Sequence, residues 1–528
     1  MRRRDFLKCV AAAGTAIAWP GSYHGGSGAT RRPNFVVILT DQERQHRHWP
    51  TGFVDRFLPS WGRLQKNGLT FERAYTASAQ CSPSRACFLT GHYSNVNKVP
   101  TFDFPGGLPG KDELPNIGSW LKEKAGYEVV WKGKWHLSFP QSFEGGSPDQ
   151  EVWTAEDIAY MENHYGLSKW NPPEAGNNVQ NTAGARATMG GGDADNDRRY
   201  TVGEANSSSG ATPGLGESAV DYIRELGRKP AQSRPPFCLF VSLVNPHDIA
   251  FFPNGWDLGG YRLEDFQDLD INLPPNFADD LSTKPGIQKT YHDYLQSEGP
   301  LNTDEERLNY VKFYAWLHTL SDALVNQLLD ALDETGLTQD AIIVRTADHG
   351  ELGISHGLRE KSYAVYDEIL NIPLVISNPL LFPSPRTTKA VWSHVDLAAT
   401  LADLAGVPQL GVGVSQTPVI AGLADSARSD ALFCYDDVFF LPADEPGSHI
   451  RALRDGRYTY AVYFSSDGSL FEYELYDNDA DPHQMTNLTA EPTPEITALW
   501  KALHLELKAR ITACQAEPTG FAWPDQPV

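Results

Sequence analysis

Residues 35–42 read FVVILTDQ: five apolar residues without interruption, then a threonine and the polar pair Asp41-Gln42. A run so short and so uniformly apolar is the pattern of a strand buried on both faces, since a half-exposed strand would alternate. The pattern recurs at Glu128 to Trp131 (EVVW), Phe237 to Val244 (FCLFVSLV), Ala341 to Arg345 (AIIVR) and Leu374 to Ile376 (LVI). Helical patterns lie between these runs. The longest, Glu305 to Asp333, sets Leu317, Leu320, Leu324, Leu328 and Leu332 at helical spacing, and Gly336 supplies a stop. This alternation predicts an α/β fold with a large, mainly parallel central sheet flanked by helices.

The polar residues that follow the runs are the first pointer to function. Asp41-Gln42 ends the first, Lys134-Trp135-His136 follows EVVW by a short turn, Asn245-Pro246-His247-Asp248 follows FCLFVSLV, and Asp348-His349-Gly350 follows AIIVRTA. Ligands of open parallel sheets bind beyond the carboxyl ends of the strands, so these four clusters are expected to converge on one site. Any one of them alone would pass as a charged loop or a helix cap.

A chain of 528 residues, 41% hydrophobic and 21% charged, has ordinary globular composition and can bury a sizeable core. Its formal net charge of -23 argues against nucleic acid or an anionic membrane as a partner, because backbone binding needs a basic face. An acidic substrate would have to be held by local cations. The six cysteines, at positions 9, 81, 87, 238, 434 and 514, are too scattered for a disulfide scaffold and form no Cys-x-x-Cys pair.

The ends of the chain read differently from its middle. Residues 1–30 have the features of a signal peptide and linker: Arg3-Arg4-Asp5-Phe6-Leu7-Lys8 precedes the apolar run Cys9 to Trp19, which is too short to span a bilayer, and Ala16-Ile17-Ala18 offers a cleavage site. The order RR-x-F-L-K resembles a twin-arginine signal, which implies export of a folded bacterial protein by the twin-arginine machinery to the periplasm or beyond. Residues 31–425 are expected to form the main domain, with a Gly/Asn-rich insertion at 175–216 that reads equally as a loop near the site or as disorder. Residues 426–528 are expected to form a small antiparallel subdomain, from the hairpin pattern of Tyr458 to Phe464 and Leu470 to Tyr476 around Ser465-Ser466-Asp467-Gly468 and a closing helix over Glu495 to Ala509.

One further stretch, QCSPSRACFLTG at Gln80 to Gly91, places a cysteine two residues before a proline and four before an arginine. If it is helical, Cys81 and Cys87 are separated by a rise of about 9 Å and leave different faces, beyond disulfide reach. A nucleophilic thiol and an inert buried cysteine stay open as readings. None of these explains Pro83 and Arg85.

The stretch resembles the signature of the type I, formylglycine-dependent sulfatases of the alkaline phosphatase superfamily, Cys-x-Pro-Ser-Arg followed by an apolar segment and Thr-Gly; Cys81, Pro83, Ser84, Arg85, Leu89, Thr90 and Gly91 fit it without a gap. The resemblance runs from about Pro33 to Leu488 and takes in Gly133 to Leu137, Asn245 to Asp248, Asp348 to Glu351, His394 to Leu397 and the phrase ELYDNDADPHQMTNL. It implies an alkaline-phosphatase-like sandwich with a small C-terminal antiparallel sheet. It implies hydrolysis of a small sulfate ester to an alcohol and inorganic sulfate. It also implies a formylglycine-generating enzyme as maturation partner, oxidising Cys81 to Cα-formylglycine on the unfolded chain, while Cys87 stays a thiol.

Carried over position by position, the resemblance assigns Asp41, Gln42, Asp348 and His349, with residue 81, to one divalent cation. Calcium is favoured over manganese because it prefers oxygen ligands. Gln42 and His349 stand where many members have Asp and Asn. Arg85 is expected to hold residue 81 and the metal shell, and Lys134 and Lys361 to bind sulfate oxygens. His247, with Lys361 beside it, is expected to protonate the leaving oxygen, and His136 to act as base when sulfate is expelled. His356 reads either as a further contact or as an exposed structural histidine. The competing activity is phosphonate monoester or phosphodiester hydrolysis, a branch that departs at the Lys-x-His element kept here as Lys134 and His136; a binding protein without turnover would be expected to lose some of these groups.

Overall fold

The structure is a computed structural model that describes residues 32–101, 107–138, 154–170, 196–203, 217–257, 260–436, 438–442 and 444–527. The twin-arginine segment expected over residues 1–30 lies outside them, and of the 175–216 stretch only 196–203 falls within them.

All five apolar runs are strands. β1 (Asn34–Asp41), β3 (Glu128–Gly133), β4 (Phe237–Pro246), β5 (Ala341–Ala347) and β6 (Leu374–Ser377) join β2 (Gly68–Tyr75) and β7 (Arg386–Ser393) in one seven-stranded sheet of order β3-β4-β1-β5-β6-β2-β7. β4, β1 and β5 pair in parallel, as do β3 with β4 and β2 with β7. β6 alone runs against its neighbours β5 and β2. Six carboxyl ends therefore share one edge, the geometry that the polar clusters require.

Alternate residues of β1 point to opposite faces, and both faces are covered. Phe35, Val37 and Leu39 enter a core with Phe88 and Leu89 of α2 (Cys81–Thr90), Ile117 and Leu121 of α3 (Ile117–Ala125), and Leu397 and Leu401 of α7 (Asp396–Leu404). Val36 and Ile38 enter the other, with Trp61 and Leu64 of α1 (Pro59–Lys66), Ile223 and Leu226 of α5 (Ala219–Arg228), and Leu317, Leu324 and Leu328 of α6 (Asp304–Glu334). The start of α6 is set by a capping box: the Thr303 hydroxyl accepts from Glu306 N, and the Glu306 carboxylate accepts from Thr303 N. Between α3 and α5 the short α4 (Asn196–Thr201) stands inside the stretch read as insertion.

The C-terminal hairpin forms as expected. β10 (Tyr458–Phe464) and β11 (Phe471–Asp477) pair antiparallel, and β9 (His449–Asp455) and β8 (Asp430–Tyr435) complete a four-stranded sheet. α8 (Pro494–Ala513) covers it with Leu503, Leu507 and Ile511. A bridge between Ser78 and Cys434 ties the edge strand β8 to the segment leading into Cys81.

Candidate active site

Each candidate side chain is delivered by the carboxyl end of a strand or by the segment after it. β1 stops at Asp41, β5 is followed directly by Asp348-His349, and β3 ends at Gly133 before Lys134. Gly133 has φ +89, and a Cβ there would lie 2.1 Å from the Ser242 carbonyl oxygen. At Gly350 it would lie 1.9 Å from the Glu368 carbonyl oxygen. Both turns require glycine. β2 leads through residues 76–80 into α2, whose first residue is Cys81.

These segments meet at the Cys81 thiol. Sγ lies 3.4 Å from Asp41 Oδ1, 3.3 Å from His349 Nε2 and 3.8 Å from Lys134 Nζ. Asp41 Oδ2 pairs with Lys134 Nζ at 2.7 Å and Arg85 Nη2 at 3.1 Å. Arg85 is fully buried one turn along α2. It donates through Nε to Asp348 Oδ2 at 3.0 Å, and through Nη1 to the Lys134 carbonyl and Ser242 Oγ, both at 2.9 Å. Asp348 Oδ1 accepts from the backbone N–H groups of Gln42 and His349 at 3.0 and 2.9 Å. Sequence-distant Asp41, Cys81, Arg85, Lys134, Asp348 and His349 are thus one contact network.

The charges in it are matched to a cation. Burial alone would raise the Asp41 carboxyl, but Lys134, with His247 and Arg85, holds it well below the usual range. Burial, and then the Asp41 charge, pushes Asp348 up. The Asp41, Cys81, Asp348 and His349 ligand atoms all lie within 4.8 Å of one another. The His349 Nδ1–H donates to the Gly350 carbonyl at 3.0 Å, which leaves the Nε2 lone pair facing the cluster. Two carboxylates and one oriented imidazole fit a divalent ion. Gln42 Nε2 donates to Glu351 Oε2 at 2.6 Å and Glu360 Oε2 at 3.2 Å, so its carbonyl oxygen is the end offered to Lys361 Nζ, which donates to it.

Burial, then Asp41, pushes the Cys81 thiol up to about 12. Without a cation beside it, that direction disfavours the thiolate which the nucleophilic-thiol reading needs. His136 and His247 are both buried and held well below 6.5, first by desolvation and then by Lys134. Nδ1 of His247 has no hydrogen-bond partner among the described residues. Lys361 moves the other way: burial opposes its charge, but Cys81 and Glu360 raise it. Lys361 in turn opposes a positive charge on either imidazole.

Other members of the site went unread in the sequence. Ser84 Oγ and Thr76 Oγ1 lie 2.6 and 2.8 Å from the Asp348 carbonyl oxygen and 3.0 and 3.2 Å from Nδ1 of His394, whose Nε2–H donates to the Ala347 carbonyl at 2.9 Å, so each hydroxyl proton has two acceptors in reach. His394 lay in a quoted motif without a role, and Ser242 was the one hydroxyl in FCLFVSLV; both signals were present. Glu351, fully buried, accepts from Tyr310 Oη at 2.7 Å and from the Gly353 and Glu360 backbone. His356 is a correction. It is 1% exposed, its Nδ1 pairs with Asp279 Oδ2 at 2.7 Å, its Nε2 lies 3.0 Å from Asn276 Nδ2, and its ring stacks on Tyr366. It packs the loop after β5 and is not an exposed histidine.

Buried neutral histidines give the fold a defined acid sensitivity. Desolvation pushes His48 and His394 down to about 3 and His318 to about 4. Their folded values lie below the unfolded value of about 6.5, so the stability they contribute is full above that pH and is lost as pH falls towards 4 and 3. The melting temperature of the metal-free protein is expected to decline steadily below about pH 6.5, ahead of the carboxylate range. A melting temperature constant down to about pH 4.5 would contradict the burial of these rings in neutral form.

A family model described as Sulfatase matches residues 33–407, and one described as N-sulphoglucosamine sulphohydrolase, C-terminal, matches residues 354–513. The chain is 26% identical over 478 residues to arylsulfatase K of Rattus norvegicus, covering 88% of this chain and 76% of the relative. A solved 2-O GAG sulfatase superposes with TM-score 0.67 at 21% identity, over 94% of this chain and 96% of that one. A phosphonate monoester hydrolase of Agrobacterium radiobacter superposes with TM-score 0.62 at 19% identity, over 92% and 96%. The last two likenesses speak for the shared architecture alone.

Proposed function

The chain belongs to the sulfatase family and is a sulfuric ester hydrolase, and on that premise we propose that it works with residue 81 as Cα-formylglycine beside one divalent cation, calcium. The observation that carries this is the position of Cys81 Sγ, within 3.8 Å of Asp41, Lys134 and His349 at once. Burial disfavours the thiolate of a thiol so placed, whereas a hydrated aldehyde at the same carbon supplies two hydroxyls. Asp41, Gln42, Asp348 and His349 with residue 81 would hold the cation, which when bound would supply positive charge to polarise the sulfuryl oxygens and lower the pKa of a hydroxyl.

The remaining residues bind and move protons. Arg85, fixed on both carboxylates, holds residue 81 at the head of α2. Lys134 and Lys361 offer ammonium donors to sulfuryl oxygens as charge develops on them. Desolvation and the charges of Lys134 and Lys361 oppose protonation of His247 in the free site; the negative charge of a bound ester favours its protonated form, and it gives that proton to the departing alcohol oxygen. His136, its protonation opposed in the same way, takes the proton from residue 81 as sulfate is expelled.

The test combines chemistry and turnover. Peptide mass spectrometry of the active protein should show an aldehyde at position 81, chelation should abolish activity, and added calcium should restore it. Aryl sulfate, phosphonate monoester and phosphodiester are assayed in parallel, with sulfate expected to be the preferred substrate. An active preparation with only thiol at position 81 would sink the proposal. A preference for the phosphonate would move the chain to the competing activity, with which it shares its architecture.

A further inference from the structure

α4 (Asn196–Thr201) lies in a stretch whose composition gave no reason to expect structure, yet the side chains of Asp197, Tyr200 and Thr201 are buried. The Asp197 carboxylate accepts from two consecutive backbone N–H groups, Val244 N on Oδ1 at 2.6 Å and Asn245 N on Oδ2 at 2.9 Å. Tyr200 Oη donates to Oδ1 at 2.6 Å. The ladder between β3 and β4 ends at the pair Gly133–Ser242, so beyond it β4 turns N–H groups towards α4 instead of a strand. A buried N–H left without an acceptor is costly, and a carboxylate is a strong one. Tyr200 also packs against Gly133, where a Cβ would meet its ring at 2.6 Å. α4 thus touches the strand end before Lys134 and the strand end before His247.

Asp197 is buried, and its carboxylate oxygens are taken by two backbone N–H groups and the Tyr200 phenol. Burial pushes its carboxyl up to about 6 against the Tyr200 and backbone hydrogen bonds, so it is ionised at mildly alkaline pH. The other side of the same turn is held by Tyr261, whose Oη accepts from Asn245 Nδ2 at 3.0 Å and donates to Asp248. His247 sits between these two anchors, two residues past Asn245.

We propose that Asp197 is a positioning residue for His247: by taking the N–H groups of Val244 and Asn245 it fixes the strand end that aims the imidazole at the leaving oxygen. The proposal rests on the reading of His247 as the leaving-group acid. A displaced acid costs most where the leaving group most needs a proton. Asp197→Asn keeps one acceptor oxygen but turns an NH₂ group towards a backbone N–H. It should lower kcat by less than about threefold on 4-nitrophenyl sulfate, whose phenolate leaves readily, and by about 10²-fold on phenyl sulfate, whose phenolate does not.

The experiment measures both esters with wild type, Asp197→Asn, His247→Gln and Tyr200→Phe, at a pH well above the Asp197 value, with melting curves for each. Asp197→Asn and His247→Gln should share the leaving-group dependence, the histidine variant more strongly. Tyr200→Phe, which removes only the phenol donor, should show it more weakly and carries the test if Asp197→Asn does not fold. If His247→Gln shows the dependence while the folded Asp197 or Tyr200 variants slow both esters equally, the positioning role is wrong and the role of His247 stands. If His247→Gln slows both esters equally, His247 is not the leaving-group acid and the proposal falls with it.

Discussion

Cys81→Ala is expected to lower kcat/KM on an aryl sulfate by at least about 10⁴-fold, with a melting temperature close to wild type, because the whole effect is removal of the group that attacks. The side chain is fully buried but small, and its neighbours Asp41, Lys134 and His349 keep one another's company without it. Cys81→Ser is the sharper variant. Serine at the head of α2 keeps one hydroxyl beside Asp41 and His349, but the proposed chemistry needs two: one to attack and one to release sulfate. Its steady-state rate is expected to stay near that of the alanine variant. Turnover by the serine variant near the wild-type rate would show that a plain hydroxyl suffices and that residue 81 needs no oxidation.

Arg85→Ala is expected to cost both activity and fold. Its guanidinium binds Asp41, Asp348, the Lys134 carbonyl and Ser242 Oγ inside a fully buried site. Removing one partner of a buried ion pair leaves uncompensated charge and costs about 3–5 kcal/mol. Here Asp348 is the exposed party, because Asp41 keeps Lys134. The carboxyl already pushed up by burial and Asp41 then moves further up. The expected outcome is a melting temperature lower by several degrees and a loss in kcat/KM of about 10³-fold. Added calcium should recover part of the melting temperature and none of the rate, since the cation can replace the charge but not the hydrogen bonds to the Lys134 carbonyl and Ser242 Oγ. Equal stability of wild type and variant without metal would refute the view that Arg85 balances both carboxylates.

Most of the site was legible because its residues follow strands that are buried on both faces. FVVIL, FCLFVSLV and AIIVR announce themselves by their uninterrupted apolar runs, and the polar residues just past them converge because the strands run parallel. β2 and β7 escaped notice for the opposite reason. GLTFERAY carries Glu72 and Arg73 on a partly exposed surface, and RTTKAVWS begins as a half-solvated edge, so neither reads as a core strand. LVI was recognised as a strand, but nothing in three apolar residues shows that β6 runs against its neighbours. Asp197 was hidden by context: α4 has six residues, too few for a periodic signal, among glycines, asparagines and aspartates that read as linker. His356 was misplaced because sequence does not show that Tyr366 and Asp279 enclose it.

The burial of α2 limits when residue 81 could be modified. Every residue from Cys81 to Thr90 is buried in the folded chain, and Cys434 of β8 bridges to Ser78, just ahead of Cys81. If residue 81 is oxidised as proposed, the enzyme that does so has to finish before the sheet closes. The contacts that bury the segment span Asp41 to Lys361 and beyond, and folds dominated by such distant pairings assemble slowly. Slow closure would leave the cysteine open to such an enzyme for longer. Under the proposed chemistry the maturation yield would be a race between two rates, and a substitution that speeds folding without touching any catalytic group would lower the active fraction of an otherwise perfect protein.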